Sequence, residues 1–249
     1  MSYGKTAPQR YELKDSLANG SCKRLESKLL KTDCAFQQAI GNPLSDREIR
    51  SVTALPIVYL ARHGETAWTV SGQHTGLTNL PLTPNGERNA CRLGERLKGL
   101  QFASVFTSPL QRASRTCELA GFADLAETDP ALVEWVYGEY EGLRSAEILA
   151  RRPDWNLFRD GCPGGESPAE IAKRAESVIR RIRAVSGNVL LFSSGHFLRV
   201  LAALWLGLAP DPAAGYFVLS TASLSALGYE HMLSRPVIHL WNGDHHVKP

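Results

Sequence analysis

The sequence predicts an α/β fold: a three-layer α/β/α domain with a mostly parallel central sheet. Three observations predict it. Short apolar runs at 57–61 and 189–192 have the length and pattern of buried strands, and 103–107 reads as a further strand. Segments with helical periodicity, opened by capping signals, alternate with those runs. Hydrophobic residues make up 43% and charged residues 21% of the 249 residues, enough apolar material for a sizeable core.

The elements follow in order. Ile57-Val58-Tyr59-Leu60-Ala61 is the first strand. Thr83-Pro84 opens a helix that carries Ala90, Leu93, Leu97 and Leu100 on one face. Ala103 to Thr107 is the next strand, and Ser108-Pro109 opens a helix ending near Gly121. Tyr137 to Gly165 reads as a partly helical excursion rich in Gly, Trp and charge. Ser167-Pro168-Ala169-Glu170 is a capping box, and the helix behind it buries Ile171, Ala175, Val178, Ile182 and Val185 until Gly187-Asn188 stops it. Val189 to Phe192 is a buried strand, Phe197 to Leu206 a mostly apolar helix, and 224–229 and 237–241 are late strands.

Residues 1–55 differ from the rest, being polar and weakly patterned; they read as a mobile N-terminal extension before a domain at 56–249. Leu25 to Ile40 has a poor helical stripe through Leu29, Leu30 and Phe36. Glu12, Asp15, Glu26 and Asp33 argue against an acid-poor transit peptide. The net charge of +3 lies in this segment, which holds nine Lys/Arg and six Asp/Glu, whereas the remainder holds 19 of each. Nothing global therefore draws the domain to nucleic acid, although a few local arginines suffice for a small anion. No run approaches the roughly 20 apolar residues of a membrane span. Five cysteines without a C-x-x-C pair, and no signal-peptide apolar region, point to a reduced, cytoplasmic protein.

In an α/β sheet of this kind ligands sit beyond the carboxyl ends of the strands. That rule selects Arg62-His63-Gly64, Ser108 to Arg112, and Ser193-Ser194-Gly195-His196. A histidine on a tight strand-end loop is a candidate nucleophile, and Arg62 beside it offers forked donors to a phosphate. Arg112 adds a charge to the first turn of a helix, a place already suited to anions. Glu134 lies among large aromatics, where a desolvated carboxyl suits a general acid, though Glu139 and Glu141 follow so closely that spacing does not single it out. The remaining histidines carry no such context. His74 lies in a loop near the expected pocket mouth, His245-His246 reads as a solvated tail rather than a metal site, and the Arg180-Arg181-x-Arg183 run as a solvated helix side.

Several of these stretches together resemble the histidine phosphatase superfamily, also called the phosphoglycerate mutase-like family. The matching stretches are Leu60 to Thr66, Thr107 to Ala113, Glu134 to Gly142, Pro163 to Ser167 and Gly195 to Arg199, within Ile57 to Val247. Gly72 to Thr78 and Trp155 to Cys162 are similar to the branch that includes fungal sedoheptulose-1,7-bisphosphatase.

The resemblance implies a phosphomonoester hydrolase with no cofactor or metal, acting on a small phosphorylated metabolite such as a sugar phosphate. It implies that His63 becomes a phosphohistidine, that Glu134 serves the leaving oxygen and the attacking water, and that Arg62 and Arg112 neutralise the equatorial oxygens. Thr75, Gly76, Ser194 and His196 would contact substrate. A homo-oligomer is left open. Thr69 stands where mutases carry an Asn, which places a mutase second. One departure is sharp: Ser194 occupies the place of the family's second catalytic histidine, and a hydroxyl supplies no positive charge. The implied outcomes are a weakened phosphatase, replacement of the lost ring by His196, or a relative that only binds phosphorylated ligands.

Overall fold

The computed structural model describes residues 55–247. The stripe at 25–40, and the extension it belongs to, lie outside the described residues. Within them, β1 (Val58–Arg62), β2 (Ser104–Thr107), β3 (Ala126–Thr128), β4 (Val189–Ser193), β5 (Leu224–Tyr229) and β6 (Pro236–Gly243) form one sheet in the order β3-β2-β4-β1-β5-β6. The pairings from β3 to β1 are parallel, while β5 and β6 are antiparallel, so the sheet is mixed with its parallel half over the expected strand ends.

Alternation along the strands separates two cores. Val58 and Leu60 of β1 and Leu191 of β4 face one side, and Ala61, Leu190 and Phe192 face the other. On the second side pack α2 (Pro84–Leu97) and α3 (Gln111–Leu119), through Leu93, Leu97 and Cys117; a short α1 (Ala67–Ser71) precedes them. The chain between β3 and β4 carries α4 (Ser145–Arg151), α5 (Leu157–Asp160) and α6 (Pro168–Arg183). After β4 come α7 (Gly195–Trp205) and α8 (Pro210–Tyr216). Ile171 and Val178 of α6 and Leu198 and Leu201 of α7 bury the first side of the sheet. These are the three layers.

Local chemistry explains the boundaries. Thr83 caps α2 by accepting the Gly86 N–H at 3.0 Å, with Pro84 at the first helical position, and Leu100 lies just past the helix end, half-buried against the same core. Ser167 and Glu170 close the capping box of α6 in both directions. The Ser108-Pro109 helix begins later than expected, at Gln111. The Ser108 N–H still donates to Phe192 O at 3.0 Å, extending the ladder of β2 on β4, and the Gln111 N–H finds Asn79 Oδ1 at 2.8 Å. The 180–183 arginines are exposed, but Arg181 pairs with Asp129 and lies over Phe106, and Arg183 covers the Trp205 ring at 4.6 Å. Their stems and charged planes pack on aromatic faces, which is more than a solvated side. Among the described residues no single helix is long and apolar enough to cross a membrane.

Candidate active site

The sheet register assembles the site. Arg62, the last residue of β1, pairs with Ser193, the last of β4, and Thr107, the last of β2, pairs with Phe192. The ladder then runs one step further, with the His63 N–H donating to Ser193 O at 2.9 Å. The three loops selected from sequence therefore leave neighbouring parallel strands at one edge.

His63 is buried, and its Nδ1 lies 2.8 Å from Gly64 O. A carbonyl only accepts, so Nδ1 carries the hydrogen and Nε2 keeps its lone pair. Burial, then the positive charges of Arg112 and Arg62, hold the imidazole well below its usual pKa and hence neutral. The Gly64 N–H donates to Thr116 Oγ1 at 2.9 Å, and that hydroxyl donates to Arg112 O at 2.6 Å. Thr116 thus ties the nucleophile loop to the helix that carries Arg112. A Cβ on Gly64 would lie 2.7 Å from Gly86 O, so only glycine permits this approach of loop to helix.

Arg62 and Arg112 are anchored by backbone oxygens. Arg62 Nη1 donates to Leu219 O. Arg112 donates to Thr78 O at 3.0 Å, Thr75 O at 3.1 Å and Gly76 O at 2.7 Å. The same loop is held from the other side by Glu141, which accepts the Gly76 N–H at 2.9 Å and the Thr78 N–H at 3.1 Å. Gly76 was expected to touch substrate. Instead both its backbone groups are engaged in this brace, and it is small because a Cβ would meet Trp135 O at 2.7 Å. The buried Thr75 hydroxyl donates to Gln73 O at 3.2 Å.

Three buried donor atoms have no protein partner among the described residues: Arg62 Nε, Arg112 Nε and Ser194 Oγ. Leaving a donor buried and unpaired costs roughly 1–3 kcal/mol each, so three on adjoining residues call for an acceptor. Ser194 precedes α7, and its side chain makes no capping bond there. A Cβ on Gly195 would lie 3.1 Å from Arg62 Nε, which shows how closely the start of α7 meets that guanidinium.

Glu134 follows β3 through a short 3-10 turn at Pro130–Leu132. Its carboxylate accepts three backbone N–H groups, from Trp135 at 2.9 Å, His196 at 3.0 Å and Phe197 at 2.8 Å. The last two belong to the first turn of α7, where free N–H groups and the helix dipole favour a carboxylate. Sequence reasoning missed the residue that holds this segment in place. Arg174 of α6 donates to Ala131 O at 2.9 Å, Val133 O at 2.8 Å and Glu134 O at 3.3 Å. It also grips Glu166 through two bonds of 2.8 and 2.6 Å and covers the Phe197 ring. No local pattern distinguishes Arg174 from any other charge on an amphipathic helix.

His196 is engaged on its Nδ1 side. Its Nδ1 meets Tyr137 Oη at 2.6 Å and lies 4.0 Å from Glu134 Oε2. His74 stands beside it, 5.9 Å between ring centroids, and 4.8 Å from the Tyr137 ring. His246, read as part of a solvated tail, is half-buried, with Nε2 2.8 Å from Ala222 O and Nδ1 3.2 Å from Arg96 Nη1. No group of three metal-ligating side chains occurs among the described residues. A cavity of about 540 Å³, lined by Leu82, Thr107, Ser114 and Arg115 among others, includes none of His63, Arg62, Arg112, Glu134 and Ser194, and its Arg115 is held by Glu87 and Glu118.

The geometry is that of a neutral imidazole beneath unpaired cationic donors, with a carboxylate alongside. Comparison with known proteins places it. The model of the histidine phosphatase superfamily (branch 1) matches residues 58–244, and the chain belongs to that family. It is 40% identical over 176 residues to an acid phosphatase of Mycobacterium tuberculosis, covering 69% of this chain and 86% of that protein. It is 37% identical over 186 residues to sedoheptulose 1,7-bisphosphatase of Saccharomyces cerevisiae, covering 61% and 68%. The solved structure of the Mycobacterium tuberculosis open reading frame Rv3214 superposes with a TM-score of 0.72 at 36% identity, covering 76% of this chain and 98% of that one.

Proposed function

We propose that the protein hydrolyses a phosphomonoester of a small metabolite, a sugar phosphate or a close chemical relative, through a phosphohistidine at His63. The observation that carries this reading is the Nε2 of a neutral, buried His63, which like the three buried donors near it has no protein partner among the described residues. An oxyanion satisfies all three. Nε2 attacks phosphorus in line, and the bond from phosphorus to the ester oxygen breaks. Glu134 takes up a proton from solvent as the anionic substrate binds and gives it to the leaving alkoxide; its carboxylate then takes a proton from the water that attacks the phosphohistidine, releasing inorganic phosphate and restoring Nε2. Arg62 and Arg112 stabilise the charge on the equatorial oxygens, where most of the catalytic effect of such sites lies.

Ser194 contributes one hydroxyl donor where the family has an imidazole. Losing one preorganised donor costs on the order of 3–4 kcal/mol of transition-state stabilisation and leaves the rest of the rate enhancement. This favours a slow phosphatase over a protein that only binds phosphorylated ligands. The branch with sugar-bisphosphate chemistry is supported by the similarity to the yeast enzyme. A reduced compartment fits the free thiols of Cys91, Cys117 and Cys162, and we place the protein in the cytoplasm.

The test is phosphate release from a panel of sugar phosphates without added metal. Wild type should turn over at least one, His63→Ala should fall by more than about a thousandfold, and Ser194→His should rise about tenfold or more. Equal rates in all three proteins would defeat the reading.

A further inference from the structure

We propose that Tyr137 locks His196 in the tautomer bearing hydrogen on Nε2, and that this N–H donates to a hydroxyl or ether oxygen in the alcohol part of the substrate. The inference rests on the phosphatase reading for the identity of that substrate, and on geometry alone for the tautomer. The Tyr137 hydroxyl has a single hydrogen-bond partner among the described residues, His196 Nδ1, at 2.6 Å. With no other acceptor for the phenolic hydrogen, the bond runs from Tyr137 to a bare Nδ1. The hydrogen of the neutral ring then sits on Nε2. Burial, then the nearby charge of Arg199, holds the imidazole well below its usual pKa; burial and the carboxylate of Glu134 hold the phenol well above its own. Neither group changes protonation near neutrality.

Nε2 has no protein partner among the described residues, and the side chain is 25% exposed, so this N–H is available to a ligand. Its location assigns the ligand atom. The His196 backbone N–H and ring Nδ1 lie 3.0 and 4.0 Å from Glu134 Oε2, and Nε2 is the ring nitrogen on the other side of Cε1; in the proposed function Glu134 serves the leaving oxygen. A donor there faces the alcohol, not the phosphate. Around it stand His74, Tyr137 and Phe158, with ring centroids 5.9, 6.0 and 5.7 Å from that of His196. Ring surface with a donor of fixed orientation, and the Arg199 guanidinium over Phe158, suits a compact polyhydroxylated alcohol, which offers carbon-bound faces and hydroxyl oxygens together. Tyr137 is a positioning residue in this account, and His196 is the group that touches substrate.

Two measurements test it. In protein labelled with nitrogen-15 histidine, the His196 ring should show the Nε2–H pattern in wild type and a mixture of tautomers in Tyr137→Phe; an Nδ1–H pattern in wild type would overturn the proposal. The second readout is the ratio of kcat/KM for a sugar phosphate to that for p-nitrophenyl phosphate, which offers no hydroxyl. Because both esters are measured on one sample, the ratio is independent of how much of a variant folds. It should fall about tenfold in Tyr137→Phe and His196→Ala, mainly through KM. His196→Gln, whose amide nitrogen reaches the place of Nε2, should keep the ratio within about threefold. Equal losses on both esters, leaving the ratio unchanged in every variant, would show a structural role only and sink the idea. If wild type turns over neither ester, the phosphatase reading fails, and the nitrogen spectrum still decides the tautomer.

Discussion

The two halves of the site are built by different means. The phosphate half, with His63, Arg62 and Ser194, hangs from the ends of β1 and β4, and its spacing is set by sheet hydrogen bonds. Arg112 joins it from the helix after β2, clamped by the 75–78 backbone. The other half takes Glu134 and Tyr137 from the chain between β3 and β4, His196 from the first turn of α7 and His74 from the loop after α1, and its 131–134 segment is held by the Arg174 side chain. A ladder fixes atoms that the strands already hold in register. A side-chain clip fixes a segment that would otherwise have several arrangements. On the proposed reading, the first half takes the phosphoryl group and the second half takes the alcohol.

That contrast can be broken from either side. An effect confined to the second half should come from Glu134→Gln, which keeps an acceptor for one of the two α7 N–H groups but has no proton to give. Turnover of a sugar phosphate should fall about a hundredfold or more, the usual reach of general acid catalysis. p-Nitrophenyl phosphate, whose leaving group needs little protonation, should lose less than about tenfold. A similar loss on both esters would move Glu134 out of the acid role. Arg112→Ala acts in the phosphate half and should lower kcat/KM by about 10²–10³ for both esters alike. Part of that loss is the freed 75–78 loop, so Arg112→Lys, which keeps charge without the fork, should recover only a fraction.

Arg174→Ala attacks the clip. It breaks the ion pair with Glu166, both partners of which are largely buried, and strips donors from Ala131, Val133 and Glu134. Unfolding in urea should show a loss of about 3–5 kcal/mol, the cost of stranding a buried charge. A loss below about 1 kcal/mol would mean that the segment holds itself. The smallest effect is on pH. His63, His74 and His196 all have imidazoles depressed in the folded state, burial being the first cause for each. Their unfolded forms bind a proton near pH 6.5 and the folded forms do not, so folded stability is full above that value and declines as pH falls below it. For His63 alone the slope is at most about 1.4 kcal/mol per pH unit. Denaturation midpoints between pH 7.5 and 5 check the sign, and a protein that gains stability on acidification would contradict it.

The phosphate half was legible in the sequence because its residues sit directly after apolar runs whose strand character is a local property. Arg62-His63-Gly64 and Ser193-Ser194-Gly195 need only the rule that ligands gather at strand ends. Arg112 was legible as a charge in a first helical turn. Glu134 could be named only through the resemblance, since its neighbours Glu139 and Glu141 have equal claims by spacing. Arg174 and Thr116 carry no local signal, because their meaning lies in carbonyls and hydroxyls far away in the chain. The use of Glu141 as a brace and the bond between Tyr137 and His196 were hidden for the same reason. The start of α3 was misplaced because Ser108 remains in the ladder, a tertiary preference that overrides the Pro signal.

β4 lies between β2 and β1, and its final carbonyls receive the N–H groups that begin both flanking loops. Neither loop can shift without opening the middle of the sheet. In a chain built this way a side chain at a strand end, such as that of Ser194, can be exchanged without moving the loop that carries it.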